Sequence, residues 1–94
     1  MRILLKRQPQ IAIASIASFV ESQNTKGSGK RFVFKFKKFI EKLALENVEF
    51  ALCKNAVLAS YKFSCINFNK WVIAFTFETD RLVIHKIIHG SVLK

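Results

Sequence analysis

The heptapeptide WVIAFTF, Trp71 to Phe77, is apolar at every position except Thr76. Successive side chains of a strand point to opposite faces, so a run without a polar face has to be covered on both sides. It therefore predicts an interior strand, with helices over one face of the sheet and another segment over the other. The flanking runs YKFSCINF and LVIHKII are β-branched or aromatic and of strand length. The links between them, Asn69-Lys70 and Glu78 to Arg81, are short enough for hairpins. The end of the chain thus reads as a three-stranded antiparallel meander.

Upstream, Met1 to Lys6 reads as a short strand, and Pro9 falls at the start of a helix, where its missing N–H costs nothing. In that helix Ile13, Ile16, Ala17 and Val20 fall at i, i+3, i+4 and i+7 and make one apolar face; the helix should end near Gln23. The stretch NTKGSGK supplies the turn to the next element. That element, RFVFKFKKFIEKLALE, is ambiguous at first, because Phe32, Phe34 and Phe36 alternate as in a strand. A longer window decides for helix: Phe32, Phe36, Phe39, Ile40 and Leu43 hold helical spacing for three turns, while Lys38-Phe39-Ile40 breaks the alternation. Its Phe stripe is expected to pack on Trp71, Ile73 and Phe75. The same projection gathers Arg31, Lys35, Lys38 and Lys42 on one flank and sets Phe34 nearly opposite the core. Glu46 to Ala59 has no clear period and fits a helical tail, a loop, or a short helix with a loop. The architecture that follows is α+β: an N-terminal strand, a helical hairpin, then the meander packed on the helices.

At 94 residues the chain is expected to form a single domain with one core, and a 51% hydrophobic content marks it as globular rather than disordered. A net charge of +10 favours an anionic partner, whether nucleic acid, acidic protein or anionic lipid. Charge alone does not choose among them. The opening MRILLKRQPQIAIASIASFV has the basic start, uncharged run and small residues of a secretory signal, but Pro9 and Gln10 interrupt it and two serines dilute it. A native strand and helix in a cytoplasmic protein is the preferred reading. The uncharged stretch from Gln8 to Val20 is too short to span a bilayer, so no membrane partner is expected. Cys53 and Cys65 show no CxxC spacing and are expected as reduced thiols.

The order strand, helical hairpin, meander, together with IASIASFVESQN, the Gly-bearing turn, RFVFKFKKFIEKLA and NKWVIAFTFETDRLVIHKIIHG, resembles the ParE/RelE superfamily of bacterial toxin–antitoxin systems. ParE-like members are the most similar. The resemblance implies a toxin held in a heteromeric complex by a cognate acidic antitoxin, part of which folds as it binds. The ParE-like reading implies that DNA gyrase is bound and no bond is cut. The RelE-like alternative implies an mRNA interferase acting on the ribosome, and a non-toxic basic nucleic-acid-binding module is a third reading. In this alignment Lys70 stands where the family usually has arginine, Trp71 where it has an aromatic, and His89-Gly90 match the terminal pair. The chain then departs from the family's arginine and acidic residue with Ser91-Val92-Leu93-Lys94.

Metal-free RNA cleavage needs a base, a cation for the phosphorane and an acid. Under the RelE-like reading His89, Lys70 and Lys86 are the catalytic candidates. In a regular strand His85 and His89 would share a face, with Lys86 on the other, and His85 is expected to be a packing residue. The candidates for contacting antitoxin or target are Arg31, Phe34, Lys35, Lys38, Lys42 and His89. Two histidines without an acidic or thiolate companion make a poor metal site. No Gly-rich phosphate loop is present, and no cofactor is expected.

Overall fold

The alternating Phe run is helical. A computed structural model describing residues 2–46 and 51–93 gives the order β1 (Arg2–Leu5), α1 (Arg7–Gln23), α2 (Ser28–Glu46), α3 (Ala56–Ser60), β2 (Ser64–Phe68), β3 (Trp71–Phe77), β4 (Arg81–His89) and a closing 3-10 turn, Gly90–Leu93. This is the α+β arrangement the periodicities predict. The sheet order is β1-β4-β3-β2, with β1 parallel to β4 and the other pairs antiparallel. WVIAFTF is therefore an interior strand, and β4 is the other. Of the segment without a clear period, residues 47–50 lie outside the described residues, and the rest includes the short helix α3.

Two polar side chains fix how the N-terminal elements meet the sheet. Where β1 ends, Gln8 continues its pairing from the first turn of α1: its Nε2 donates to the Ile87 carbonyl and its Oε1 accepts from the Ile87 N–H, both at 2.9 Å. At the other end of α1, the Glu21 carboxylate accepts the N–H groups of Gly27 at 2.8 Å and Gly29 at 2.9 Å, satisfying donors at the start of α2. Those two bonds hold its carboxyl below the ordinary glutamate value; burial opposes them, and the charges of Arg31 and Lys30 add to them. Gly27 has a φ of 90°, in the left-handed region, and a Cβ on Gly29 would lie 2.6 Å from the Ala17 carbonyl oxygen. The glycines of NTKGSGK thus allow both the turn and the close crossing of the two helices.

Between the helices and the sheet, Ile16, Phe36, Ile40 and Leu43 pack against Ile73, Phe75, Leu82, Ile84 and Ile87. Phe32, Phe39 and Trp71 flank this core, as the helical spacing predicts. Phe68, from the edge strand β2, sets its ring among those of Phe32, Phe36 and Phe39 at centroid distances of 6.0, 5.5 and 5.0 Å. The opposite face of the sheet is covered by a smaller cluster of Cys53, Leu58 and Ala74, with Phe63, Cys65 and Ile88 against it. Asn55 positions Leu58 by capping α3, its Oδ1 accepting the Leu58 N–H at 3.1 Å.

Two expectations are corrected here. Cys53 and Cys65 are not reduced thiols but form a disulfide, with their Cα atoms 4.9 Å apart. The cause is local pairing: Leu52 bridges Ser64, and the Cys53 N–H donates to the Phe63 carbonyl at 2.9 Å, which lays this segment beside β2. The second correction concerns β4, where Ala74 pairs with Lys86 but Phe75 pairs with Ile84, leaving His85 as the extra residue of a bulge. Ile84 and Ile87 both reach the helix-side core as a result. His85 and Lys86 therefore share the opposite face, and His85 and His89 do not share one.

Candidate functional site

Because Phe32, Phe36, Ile40 and Leu43 turn toward the sheet, the opposite side of α2 is left to solvent. Arg31, Phe34, Lys35, Lys38 and Lys42 are all exposed, as the helical projection places them. Phe34 is 63% exposed, and the Lys38 ammonium lies 5.5 Å from its ring centroid, a cation–π contact. The Arg31 guanidinium donates to Thr25 Oγ1 at 3.0 Å. Among the described residues these four cations form no ion pair; Arg81 and Glu78, at 2.8 Å, form an exposed pair in the β3–β4 turn.

The N-terminal end of this flank opens onto a cleft of about 550 Å³ between α2 and the β2–β3 turn. Arg31, Lys35, Asn24, Thr25 and Asn69 stand around it, over an apolar floor that includes Val20, Phe32 and Phe68. Asn69 takes a φ of 55° to make the two-residue link, and Lys70 follows it, exposed. Two cations of α2, Arg31 and Lys35, thus border one concave surface. Such a surface suits a chain carrying carboxylates or phosphates, with the apolar floor accepting a side chain or ring.

His89 lies beside Lys70 in the fold. Its ring meets Trp71 edge-on at 5.1 Å, and the Gly90 N–H donates to the Lys70 carbonyl at 2.8 Å. The Ser91 N–H donates to His89 Nδ1 at 3.2 Å, and Ser91 Oγ lies 2.7 Å from the same nitrogen. Nδ1 is then the acceptor, so the neutral ring carries its proton on Nε2. The structure brings Lys70 and His89 to one corner and leaves Lys86 on the far face of the sheet, so the three catalytic candidates are not assembled together.

His85 is a packing residue. Its ring stacks on Phe63 at 4.3 Å, and its Nε2 lies 2.8 Å from Thr76 Oγ1. Burial pushes its imidazole below the ordinary histidine value; the charge of Lys6 adds to this and that of Glu78 opposes it. Tyr61, 65% exposed, extends the stack by lying 5.4 Å from Phe63. Sequence reasoning missed this aromatic column and also missed Asn24, Thr25 and Asn69 around the cleft. The two-residue Asn69-Lys70 link was the one signal that could have placed the last of these near α2.

Among the described residues, no group of three or more His, Cys, Asp or Glu side chains gathers where it could hold a metal ion. No helix among them is long and apolar enough to cross a membrane. Comparison with protein-family models, with curated proteins and with solved structures finds no match to the chain.

Proposed function

We propose that this protein is the toxin of a type II toxin–antitoxin pair, ParE-like in action, binding DNA gyrase without cutting any bond and neutralised by a cognate acidic antitoxin. The observation that carries the reading is the exposed cationic flank of α2, with Phe34 at its outer edge, set on a strand, helical hairpin and meander. Within the described part of the chain Lys35, Lys38 and Lys42 have no acidic partner, and an acidic segment that folds on binding would supply one. The target is cytoplasmic, a compartment in which disulfides are rare, so the Cys53–Cys65 bond weighs against this reading. Expression in a bacterial host, with the purified protein then assayed for inhibition of DNA supercoiling, tests the reading. Normal growth and unimpaired gyrase would sink it.

The flank makes its own prediction. Charge reversal at Lys35 and Lys38 together should slow association with the antitoxin by about tenfold and flatten its dependence on ionic strength. Stopped-flow measurement across a salt series reads both effects. Unchanged rates at every salt concentration would reduce the flank to a solvated helix surface.

The interferase alternative is less well supported, because Lys86 is separated from His89 by the thickness of the sheet. Lys70, an ammonium in place of a guanidinium, offers a point charge and no bidentate fork for a phosphate. The antitoxin-free protein is therefore expected to leave mRNA intact on translating ribosomes, and His89→Gln to leave toxicity nearly unchanged. Cleavage of ribosome-bound mRNA, slowed about a hundredfold or more by His89→Gln, would replace the ParE-like reading with the RelE-like one.

A further inference from the structure

Both cysteines of the Cys53–Cys65 bond line one cleft of about 530 Å³, between β2 and the segment that precedes α3. A disulfide closed off from solvent is attacked only when the chain opens, whereas one that lines a cleft can be reached in the folded state. The rim of this cleft is exposed at Ala51, Leu52, Lys54 and Asn67. Cys53 is 5% exposed, and Cys65, half-buried, is the more accessible of the two. Lys54 is the one charged side chain among the described residues that line the cleft.

We propose that this cleft is a thiol–disulfide exchange site, at which a small anionic thiol opens the Cys53–Cys65 bond while the domain stays folded. The thiolate attacks Cys65 Sγ, the accessible sulfur. A bond forms between the two, the Cys53–Cys65 bond breaks, and Cys53 leaves with the electron pair as a thiolate. A second thiolate then attacks the sulfur of the first and releases Cys65. Two equivalents of thiol are thus oxidised to one disulfide, and the two cysteines take up the protons that the reagent gave up. Lys54 selects the class of reagent, because its ammonium favours negative charge on the incoming thiol and on the Cys53 thiolate alike. With the bond open, the Leu52–Ser64 bridge and the Cys53 N–H bond to the Phe63 carbonyl remain to hold the segment beside β2. Exchange therefore loosens or restores the cover over Ala74 on the far side of the sheet. Such a bond can be transient in a reducing compartment and lasting in an oxidising one, so the inference does not rest on the toxin reading.

Reduction of the native protein by mercaptoethanesulfonate, alkylated at intervals and mapped by mass spectrometry, tests it. The mixed disulfide should be found on Cys65. The rate should rise less than about twofold per molar urea below the unfolding midpoint, whereas a bond reached only by global unfolding would open about fivefold faster or more per molar. At about 0.01 M salt Lys54→Gln should slow the sulfonate thiol about threefold, and mercaptoethanol, which lacks the second charge, less than about twofold. That difference should vanish at about 1 M salt, as the Debye length falls from about 30 Å to about 3 Å. Lys54 is exposed, so the variant keeps its fold. Fivefold acceleration per molar urea, a mixed disulfide on Cys53, or equal slowing of the two thiols by Lys54→Gln overturns the proposal.

Discussion

Phe36→Ala lowers the free energy of unfolding by about 3–5 kcal/mol, most of what a domain of this size possesses. The residue is 2% exposed, and its ring meets Phe68 at 90° and Phe32 at 30°. Truncation removes the side chain on which the helix stripe and the edge strand β2 both close. Rigid neighbours on the sheet, Ile73 and Phe75, are 0% exposed and have little freedom to collapse into the space. Urea denaturation measures the loss. Phe34→Ala provides the control, because Phe34 lies on the solvent side of the same helix and its removal should change stability by no more than about 0.5 kcal/mol. Equal effects at the two positions would show that α2 presents a different face to the sheet.

Breaking the Cys53–Cys65 bond is the second large effect, with an expected loss of about 3 kcal/mol from the chain entropy released on opening a short loop. The two cysteines are 12 residues apart in sequence. The bond ties the segment before α3 to β2, and with it Leu58, which covers Ala74 on the far side of the sheet. Denaturation with and without a dithiol reductant makes the measurement on identical atoms, and the Cys53→Ala, Cys65→Ala double variant should match the reduced protein. Coincident midpoints for oxidised and reduced protein would mean that backbone pairing alone holds this segment in place.

Much of the helix-side core was legible because it rests on periodicity. The Phe stripe of α2 keeps helical spacing over three turns, and WVIAFTF has no polar face, so each states its own environment. The disulfide was not legible. Cys53 lies in a stretch with no period of its own, and its partner became visible only once Leu52 was paired with Ser64. The bulge in β4 misled in a more instructive way. LVIHKII reads as an alternating strand, and the alternation puts both histidines on one side; a single extra residue at His85 shifts the phase and sends His89 to Trp71 and His85 to Phe63. The cationic flank was legible from helix geometry alone, whereas the cleft at its end was not, since Asn24, Thr25 and Asn69 come from turns that meet in space and nowhere in the sequence.

The parallel pairing of β1 with β4 also sets the order in which the molecule can be made. Arg2 to Leu5 align with Arg81 to Ile84, and Gln8 bonds Ile87 across a separation of 79 residues. A nascent chain emerging from the ribosome therefore presents its first strand and both long helices before the strand they require exists. Hairpins between neighbouring strands close in microseconds, but the β1–β4 pairing must wait for synthesis to reach its C-terminal partner, at about 5–20 residues per second. Until then the stripe from Phe32 to Leu43 has no sheet to lie on and stays open to chaperones and proteases.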